Sequence, residues 1–492
     1  MVEQKQKQKS GVTKAAKAHL ELVLTVLPKI PSVIRVVLLH VLRMSEPSRY
    51  LDLRENVIVS FLRSILDGPK PQPISKTQRM TLKDPGIKGR IWVSKVSSQV
   101  PPEKSIRDVL LAAIDSSKGQ FVASGGICRV PDIVPVEAEW TGYRAAATPK
   151  SVLPTIPEEK KYAEMMKECS SNVTILYFHG GAYYLMDPAS HRPTTKRLAK
   201  LTGGRVYSVR YRLAPQDPFP SALLDALVSY MTLLYPPPGA VHAAVDPSNI
   251  VFSGDSAGGN LSLALLQTIL EIRRVGLKIT WFGQEREVPL PAGVAANSPW
   301  LDIVQSMPSW TSNQKWDYLP PPRDIADLQE PKDAIWPAQP PRKHLYIDDD
   351  FLLHPLACLH LNPSWEGAPP IYVCCGWECL ADEDKWLVGK LVKDGVAVVF
   401  EEYEAMPHVF AAILDKAPQS ARCFDGWAKF ISQACESPRE IQSSFTTIKA
   451  KTLKEVDINV KSLSPFTEED LRKFAFDRVG RKSSFPNAPA KL

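Results

Sequence analysis

The sequence predicts an α/β protein, a mostly parallel sheet with helices on both faces, and three observations point there. Of 492 residues 44% are hydrophobic and 23% charged, which suits a sizeable core and excludes a low-complexity chain or a small disulfide-stapled scaffold. From residue 173 onward, short apolar runs bounded by turn residues alternate with helical periodicity, the pattern of strands buried on both faces. Parallel neighbours need long crossovers, which helices supply. The 44 prolines against 25 glycines exclude a coiled coil or solenoid.

In order along the chain, residues 1–17 read as a disordered basic tail in which Lys5, Lys7, Lys9, Lys14 and Lys17 face Glu3. Residues 18–66 read as a helical cap, with amphipathic helices at 20–27 and 32–44 that cover a core or lie on a membrane. Glu21, Lys29 and Arg35 interrupt that apolar run and Pro28 and Pro31 break it, so it falls short of a membrane span, and a cleavable signal peptide is not expected. Residues 67–88 form a polar, proline-bearing connection, followed by strands at 90–93, 136–140, 173–178, 205–209, 249–253, 293–297, 371–375 and 396–403. Residues 305–350, with prolines, tryptophans and charges, break the rhythm and read as an insertion over the sheet edge. Residues 67–435 thus make the main domain, and 436–492 a peripheral tail with a short helix after Thr467, where Asp470 completes a capping-box-like start.

The net charge of +7 comes from 60 basic and 53 acidic residues without basic runs interleaved with aromatics, so no nucleic-acid partner is expected. The basic N-terminus leaves peripheral contact with an acidic membrane surface open. The eight cysteines, Cys128, Cys169, Cys358, Cys374, Cys375, Cys379, Cys423 and Cys435, lie mostly in apolar stretches without the paired spacings and histidine partners of a zinc site. They read as buried thiols of a reducing compartment, with no metal. Adjacent Cys374 and Cys375 point to opposite faces of a strand, which weakens a metal site with Cys379. The terminal Ala490-Lys491-Leu492 resembles the serine-lysine-leucine peroxisomal address, so cytoplasm, peroxisome and the endoplasmic-reticulum surface are all open locations. No oligomeric interface is legible.

The chemistry begins at 249–253, an apolar run that leads into Gly254-Asp255-Ser256-Ala257-Gly258 and an apolar helix, the setting of a nucleophile elbow. Such a turn strains the serine backbone and exposes its hydroxyl, and glycines at Gly254 and Gly258 avoid collisions. The helix N-terminus sets the Ala257 N–H and a partial positive charge beside it. Upstream, 173–178 runs into His179-Gly180-Gly181-Ala182-Tyr183. Acyl transfer builds negative charge on a carbonyl oxygen, and side-chain-free backbone can bring donors close to it, so Gly180, Gly181 and Ala257 are the expected oxyanion hole. His179 is expected to hold that loop rather than act as the base, and Asp255 to support the turn.

A serine hydroxyl needs a base near neutral pH, commonly a histidine held by a carboxylate. Of nine histidines only His408 follows a late strand at the edge where the elbow opens. His19 and His40 lie in the N-terminal helices, His242, His344, His354 and His360 in loops or the insertion, and His191 reads as a surface or helix-start residue. The strand at 371–375 is followed by Glu378, Asp382, Glu383 and Asp384, which supply the acid. No cofactor is required.

These residues resemble the hormone-sensitive-lipase-like branch of the α/β-hydrolases, serine esterases with a His-Gly-Gly oxyanion loop. Tyr211-Arg212-Leu213-Ala214-Pro215 with Pro218-Phe219-Pro220 and Asp225-Ala226, and Ser298-Pro299-Trp300-Leu301-Asp302, resemble further markers of that branch, over residues 171–435. The resemblance implies an α/β-hydrolase fold with a helical cap and a triad of Ser256, Glu378 and His408. The family's Gly-x-Asp-x-Leu-x-Asp-Glu pattern reads Gly376-Trp377-Glu378-Cys379-Leu380-Ala381-Asp382-Glu383, so glutamate stands where the family has aspartate, and Asp382, one helical turn on, is the rival. The N-terminal helices and long tail resemble fungal members, some of which deacetylate sterols or secondary-metabolite esters. The implied substrate is a small hydrophobic ester, a short acyl group such as acetyl on a bulky alcohol. Tyr183, Tyr184 and Trp300 are candidate pocket walls, unless the tyrosines are simply packed core. An acyltransferase or lactone-forming enzyme using the same acyl-serine, and a non-catalytic binding member of the fold, are the alternatives.

Overall fold

Runs with no polar face can be satisfied only inside a sheet covered on both sides, and Thr174–Phe178 is such a run, buried at every position. The computed structural model describes residues 27–67, 72–122, 126–323 and 331–480. The expected tail at 1–17, nearly all of the helix at 20–27 and the terminal tripeptide lie outside them. Along the chain come α1 (Ile30–Val41), α2 (Leu53–Leu66), α3 (Ile74–Thr81), β1 (Ile91–Ser97), α4 (Ser105–Ser117), β2 (Glu137–Tyr143), α5 (Glu158–Glu168) and β3 (Thr174–Phe178). Then follow α6 (Pro188–Thr202), β4 (Arg205–Arg210), α7 (Ser221–Leu234), β5 (Ile250–Asp255), α8 (Ala257–Val275), the hairpin β6 (Ile279–Trp281) and β7 (Gln284–Arg286), and β8 (Gly293–Asn297). The last elements are β9 (Ile371–Gly376), α9 (Ala381–Lys393), β10 (Val398–Tyr403), α10 (Pro418–Glu436), β11 (Ser444–Ile448), β12 (Glu455–Asp457) and α11 (Glu468–Arg478).

The strands other than β6 and β7 form one sheet in the order β1-β2-β4-β3-β5-β8-β9-β10-β11-β12, parallel from β4 to β11 and antiparallel at both ends. Period-two alternation sends Ile175 and Tyr177 to one face, under α6 and α10, and Leu176 and Phe178 to the other, under α7 and α8. Register brings the strand ends level: Phe178 lies opposite Gly254, Asp255 opposite Asn297, and Gly376 opposite Tyr403. From β3 the chain turns to β4 on one side, while from β5 it turns to β8 on the other, so their two loops diverge and open a crevice at the carboxyl rim.

Three expectations need correction. The described part of the tail expected at 436–492, residues 436–480, is not peripheral: β11 pairs in parallel with β10, β12 adds an antiparallel edge, and Leu471, Ala475 and Phe476 of α11 join the main core. The segment Ser444–Ile448 is short and only its last two residues are buried, so it lacks the apolar run that marks a central strand. The connection at 67–88 contains α3, in which only Ile74 and Gln78 are buried, too few for a period to show. The described residues of the insertion at 305–350 include Trp310, Trp316, Asp317 and Tyr318, which are buried over the carboxyl rim beside the loops of Glu378 and His408. The helix expected at 32–44 is α1, and Pro31 sits in its first turn, where a missing N–H costs nothing. No helix among the described residues is long and apolar enough to cross a membrane.

If α11 belongs to the core, Leu471→Ala, at a site 1% exposed, should cost about 2–5 kcal/mol in a denaturant titration, against about 0.5 kcal/mol or less for a true surface tail.

Candidate active site

The turn from β5 into α8 holds Ser256 at φ 53° and ψ −121°, a left-handed conformation that strains any residue but glycine. Its flanks have no room for side chains. A Cβ at Gly254 would overlap the Gly258 backbone, and one at Gly258 the Phe178 carbonyl. The Ser256 N–H donates to the Asn297 carbonyl at 3.0 Å and its own carbonyl accepts from Trp300 N–H at 3.0 Å, so the loop after β8 clamps the strained residue.

The loops after β9 and β10 bring the other two groups to this point. His408 Nε2 lies 2.9 Å from Ser256 Oγ, and His408 Nδ1 lies 2.7 Å from Glu378 Oε1. The carboxylate fixes the tautomer, because it can only accept: Nδ1 carries the proton and Nε2 presents its lone pair to the serine hydroxyl. Glu378 is fully buried, and its second oxygen accepts from Ser298 Oγ at 2.7 Å and Gly376 N–H at 2.9 Å. Burial alone would push the His408 imidazole down, but Glu378, then Asp317 and Asp255, outweigh it and hold it above the ordinary histidine value. Asp382 is no rival for this place, since its carboxylate accepts from the Ser309 N–H at 2.9 Å.

On the other side of Ser256, Gly181 at φ 110° turns a backbone whose Cβ would strike the Leu185 carbonyl, and a Cβ at Gly180 would strike Asp255. Among the described residues, no acceptor lies in hydrogen-bond range of the Gly180, Gly181 or Ala257 N–H groups. These are amides waiting for an anion, one of them at the positive end of α8. His179 Nδ1 donates to the Gly180 carbonyl at 2.8 Å while its ring stacks on Tyr211 at 4.2 Å, and burial drives its pKa down to about 3. A ring that stays neutral and is engaged with the Gly180 carbonyl holds the loop. Asp255 accepts from Tyr177 Oη at 2.5 Å and pairs with His191 Nε2 at 3.3 Å. His191, expected at the surface or at a helix start, lies in the first turn of α6 and is a buried partner of Asp255: burial depresses it, but the carboxylate outweighs that and raises it.

The pocket candidates divide. Tyr183 is core, 0% exposed, stacked on Tyr346 at 3.7 Å with its hydroxyl donating to Asn260 at 2.6 Å; a stacked ring with a satisfied hydroxyl walls no cavity. Tyr184 is half-buried and its carbonyl accepts from Gln78 of α3. Trp300 is buried against the Ser256 backbone, with Nε1 on the Asp302 carbonyl at 3.0 Å.

Two residues that sequence reasoning passed over complete the site. Ser298, at φ 46°, bridges Glu378 to the His408 loop by accepting from Val409 N–H at 3.2 Å. Its place in the Ser298-Pro299-Trp300 motif was a usable signal. Asp317, in the insertion, accepts from Cys379 N–H at 2.8 Å and His408 N–H at 3.2 Å, so one buried carboxylate ties together the loops of the acid and the base. Arg63 of α2 donates to the Asp317 carbonyl, which fastens the N-terminal helices to the same point. No spacing rule predicts a contact between an insertion and loops more than 60 residues away, as the 62 from Asp317 to Cys379 are.

Arranged this way, the groups can make a serine nucleophilic and stabilise an oxyanion, the requirements of acyl transfer. Comparison with known proteins agrees in kind. The pattern of a family described as alpha/beta hydrolase fold matches residues 175–412. The chain is 30% identical to an acetyl-hydrolase of Streptomyces hygroscopicus over 53% of its own length and 76% of the relative's. It is also 30% identical to an esterase of Acinetobacter venetianus, over 54% and 77%. A crystal structure of EstE5 soaked with p-nitrophenyl butyrate shares the fold at a TM-score of 0.51, with 22% identity over 77% of this chain and 99% of that one.

Labelling of Ser256 by a fluorophosphonate requires neutral His408, so its rate should rise with pH through a midpoint above that of ordinary histidine. Asp317→Asn removes a charge that raises His408 and should move the midpoint down; an unmoved midpoint would deny Asp317 its electrostatic part. Glu378→Gln should slow labelling by about two to four orders of magnitude, whereas Asp382→Asn should leave it within a few-fold.

Proposed function

The chain belongs to the α/β-hydrolase fold family, and from that premise we propose that it is a serine carboxylesterase removing a short acyl group, acetyl above all, from a bulky hydrophobic alcohol. The observation that carries the reading is the relay from Ser256 Oγ through His408 to Glu378, at 2.9 and 2.7 Å, beside three unengaged amide donors. Ser256 attacks the ester carbonyl as His408 Nε2 takes its proton, and Glu378 stabilises the imidazolium. The Gly180, Gly181 and Ala257 amides receive the oxyanion, where one such donor is typically worth about 3–4 kcal/mol of the barrier. Collapse expels the alcohol, which His408 protonates, and leaves an acyl-serine. Water, deprotonated by His408, repeats the attack and frees the acid.

The acyl size is supported by the relative named as an acetyl-hydrolase. The leaving alcohol must depart on the His408 side, where Tyr318 stands 6.2 Å from the imidazole, ring centre to ring centre. There the insertion and α2 close over the rim, a surrounding that favours an apolar alcohol.

A panel of nitrophenyl esters from acetyl to long-chain tests both parts. kcat/KM should be highest for the shortest acyl groups, and Ser256→Ala should lower it by about four orders of magnitude or more. A long-chain optimum would remove the acetyl assignment, and unimpaired turnover by the variant would remove the serine mechanism.

A further inference from the structure

Behind the Trp300 loop, away from the relay, three side chains from two distant segments converge where water has no access. Asp302 follows β8, and Cys358 and His360 lie at the turn before β9; their exposures are 0%, 0% and 3%. A carboxylate oxygen, the Cys358 Sγ and a ring nitrogen of His360 all lie within 4.8 Å of one another.

The hydrogen bonds leave two of these atoms without protein partners, while the Cys358 thiol donates to the Leu352 carbonyl at 3.2 Å. His360 Nδ1 is 3.1 Å from the Leu301 carbonyl, an acceptor only, so in neutral imidazole that nitrogen bears the proton and Nε2 bears a lone pair. Nε2 has no hydrogen-bond partner, and the atom facing it, Asp302 Oδ1 at 3.9 Å, has none either. A lone pair set against a carboxylate oxygen in a dry interior is unfavourable unless something positive lies between. The surrounding contacts hold the atoms in place. Asp302 Oδ2 accepts from Ser306 N–H and Oγ at 2.5 and 2.9 Å and from Met307 N–H at 3.0 Å. The Ile303 and Val304 amides are directed at the Cys358 sulfur, and Trp386 Nε1 donates to the His360 carbonyl at 3.1 Å. Outer bonds of this kind orient and tune metal ligands.

We propose that Asp302, Cys358 and His360 bind one zinc ion through Oδ1, Sγ and Nε2. The donor set of oxygen, thiolate and imidazole suits zinc rather than magnesium or calcium, which take oxygen alone. Charge closes as well: carboxylate and thiolate, each −1, cancel Zn²⁺ beside a neutral imidazole, with the thiol proton released on binding. Tetrahedral zinc sets its ligands roughly 3.3–3.8 Å apart, so from separations of up to 4.8 Å loading draws the side chains together by about 1.5 Å or less. The ion would pin the loop that runs from Ser298 to Asp302, and so support the Glu378 contact from behind without touching substrate.

The test is metal content of the full chain produced in zinc-supplemented medium, with cobalt substitution as a second reading. About one zinc per chain is expected by elemental analysis, falling several-fold in Cys358→Ser, together with a thiolate-to-cobalt charge-transfer band in the cobalt protein. Chelation should lower the thermal midpoint of the wild type but not of the variant. Should the variant fail to fold, the cobalt band of the wild-type chain decides alone. A chain that folds and labels at Ser256 but holds no more than trace zinc and shows no such band overturns the proposal, as does zinc retained in full by Cys358→Ser.

Discussion

A carboxylate with no access to water must find its donors inside the protein, and that demand at Glu378 organises the rest. Its two oxygens are met by His408 Nδ1 and Ser298 Oγ, from the loops after β10 and β8, and by the N–H of Gly376 at the end of β9, whose following loop carries Glu378 itself. Three loops that could otherwise wander are therefore joined through one side chain. Glutamate stands here where the resemblance led one to expect aspartate, and Ser298 meets its far oxygen. The serine side of the site is held differently, by sterics: glycines at Gly254 and Gly258 let strand, turn and helix approach too closely for any Cβ.

Asp317 applies the same device one layer out. Its carboxylate binds the backbone on which Glu378 and His408 are carried, while its carbonyl receives Arg63 from the N-terminal helices. Insertion, cap and catalytic rim thus form one hydrogen-bonded unit, and the charge of Asp317 acts on the base as well as on its position. The residues that make the chemistry are few; those that hold them at the needed distances come from every part of the chain. The buried Asp302, Cys358 and His360 group places a further set of polar side chains beneath the rim, the set proposed to hold zinc.

Much of this was legible residue by residue. Apolar runs such as Ile371–Gly376 announced buried strands, and the Gly254-to-Gly258 turn announced the nucleophile because only that spacing relieves the steric conflict. Where local signals were weak, reading failed. Ser444–Ile448 becomes a strand because β10 offers it a free edge, α3 is helical because Gln78 finds the Tyr184 and Ala214 carbonyls, and Tyr183 is core because Tyr346 stacks on it.

The sequence by itself determined the α/β class, the elbow serine, the glycine loop and the order in which acid and base follow, since each is written in a contiguous stretch with its own steric or periodic logic. Only the tertiary structure decided that Glu378 rather than Asp382 faces His408, that His191 is buried against Asp255, and that Asp317 and Ser298 belong to the site. Those are choices among polar groups competing for donors across tens or hundreds of residues. Such a competition is settled by burial, and burial exists only once the chain has closed on itself.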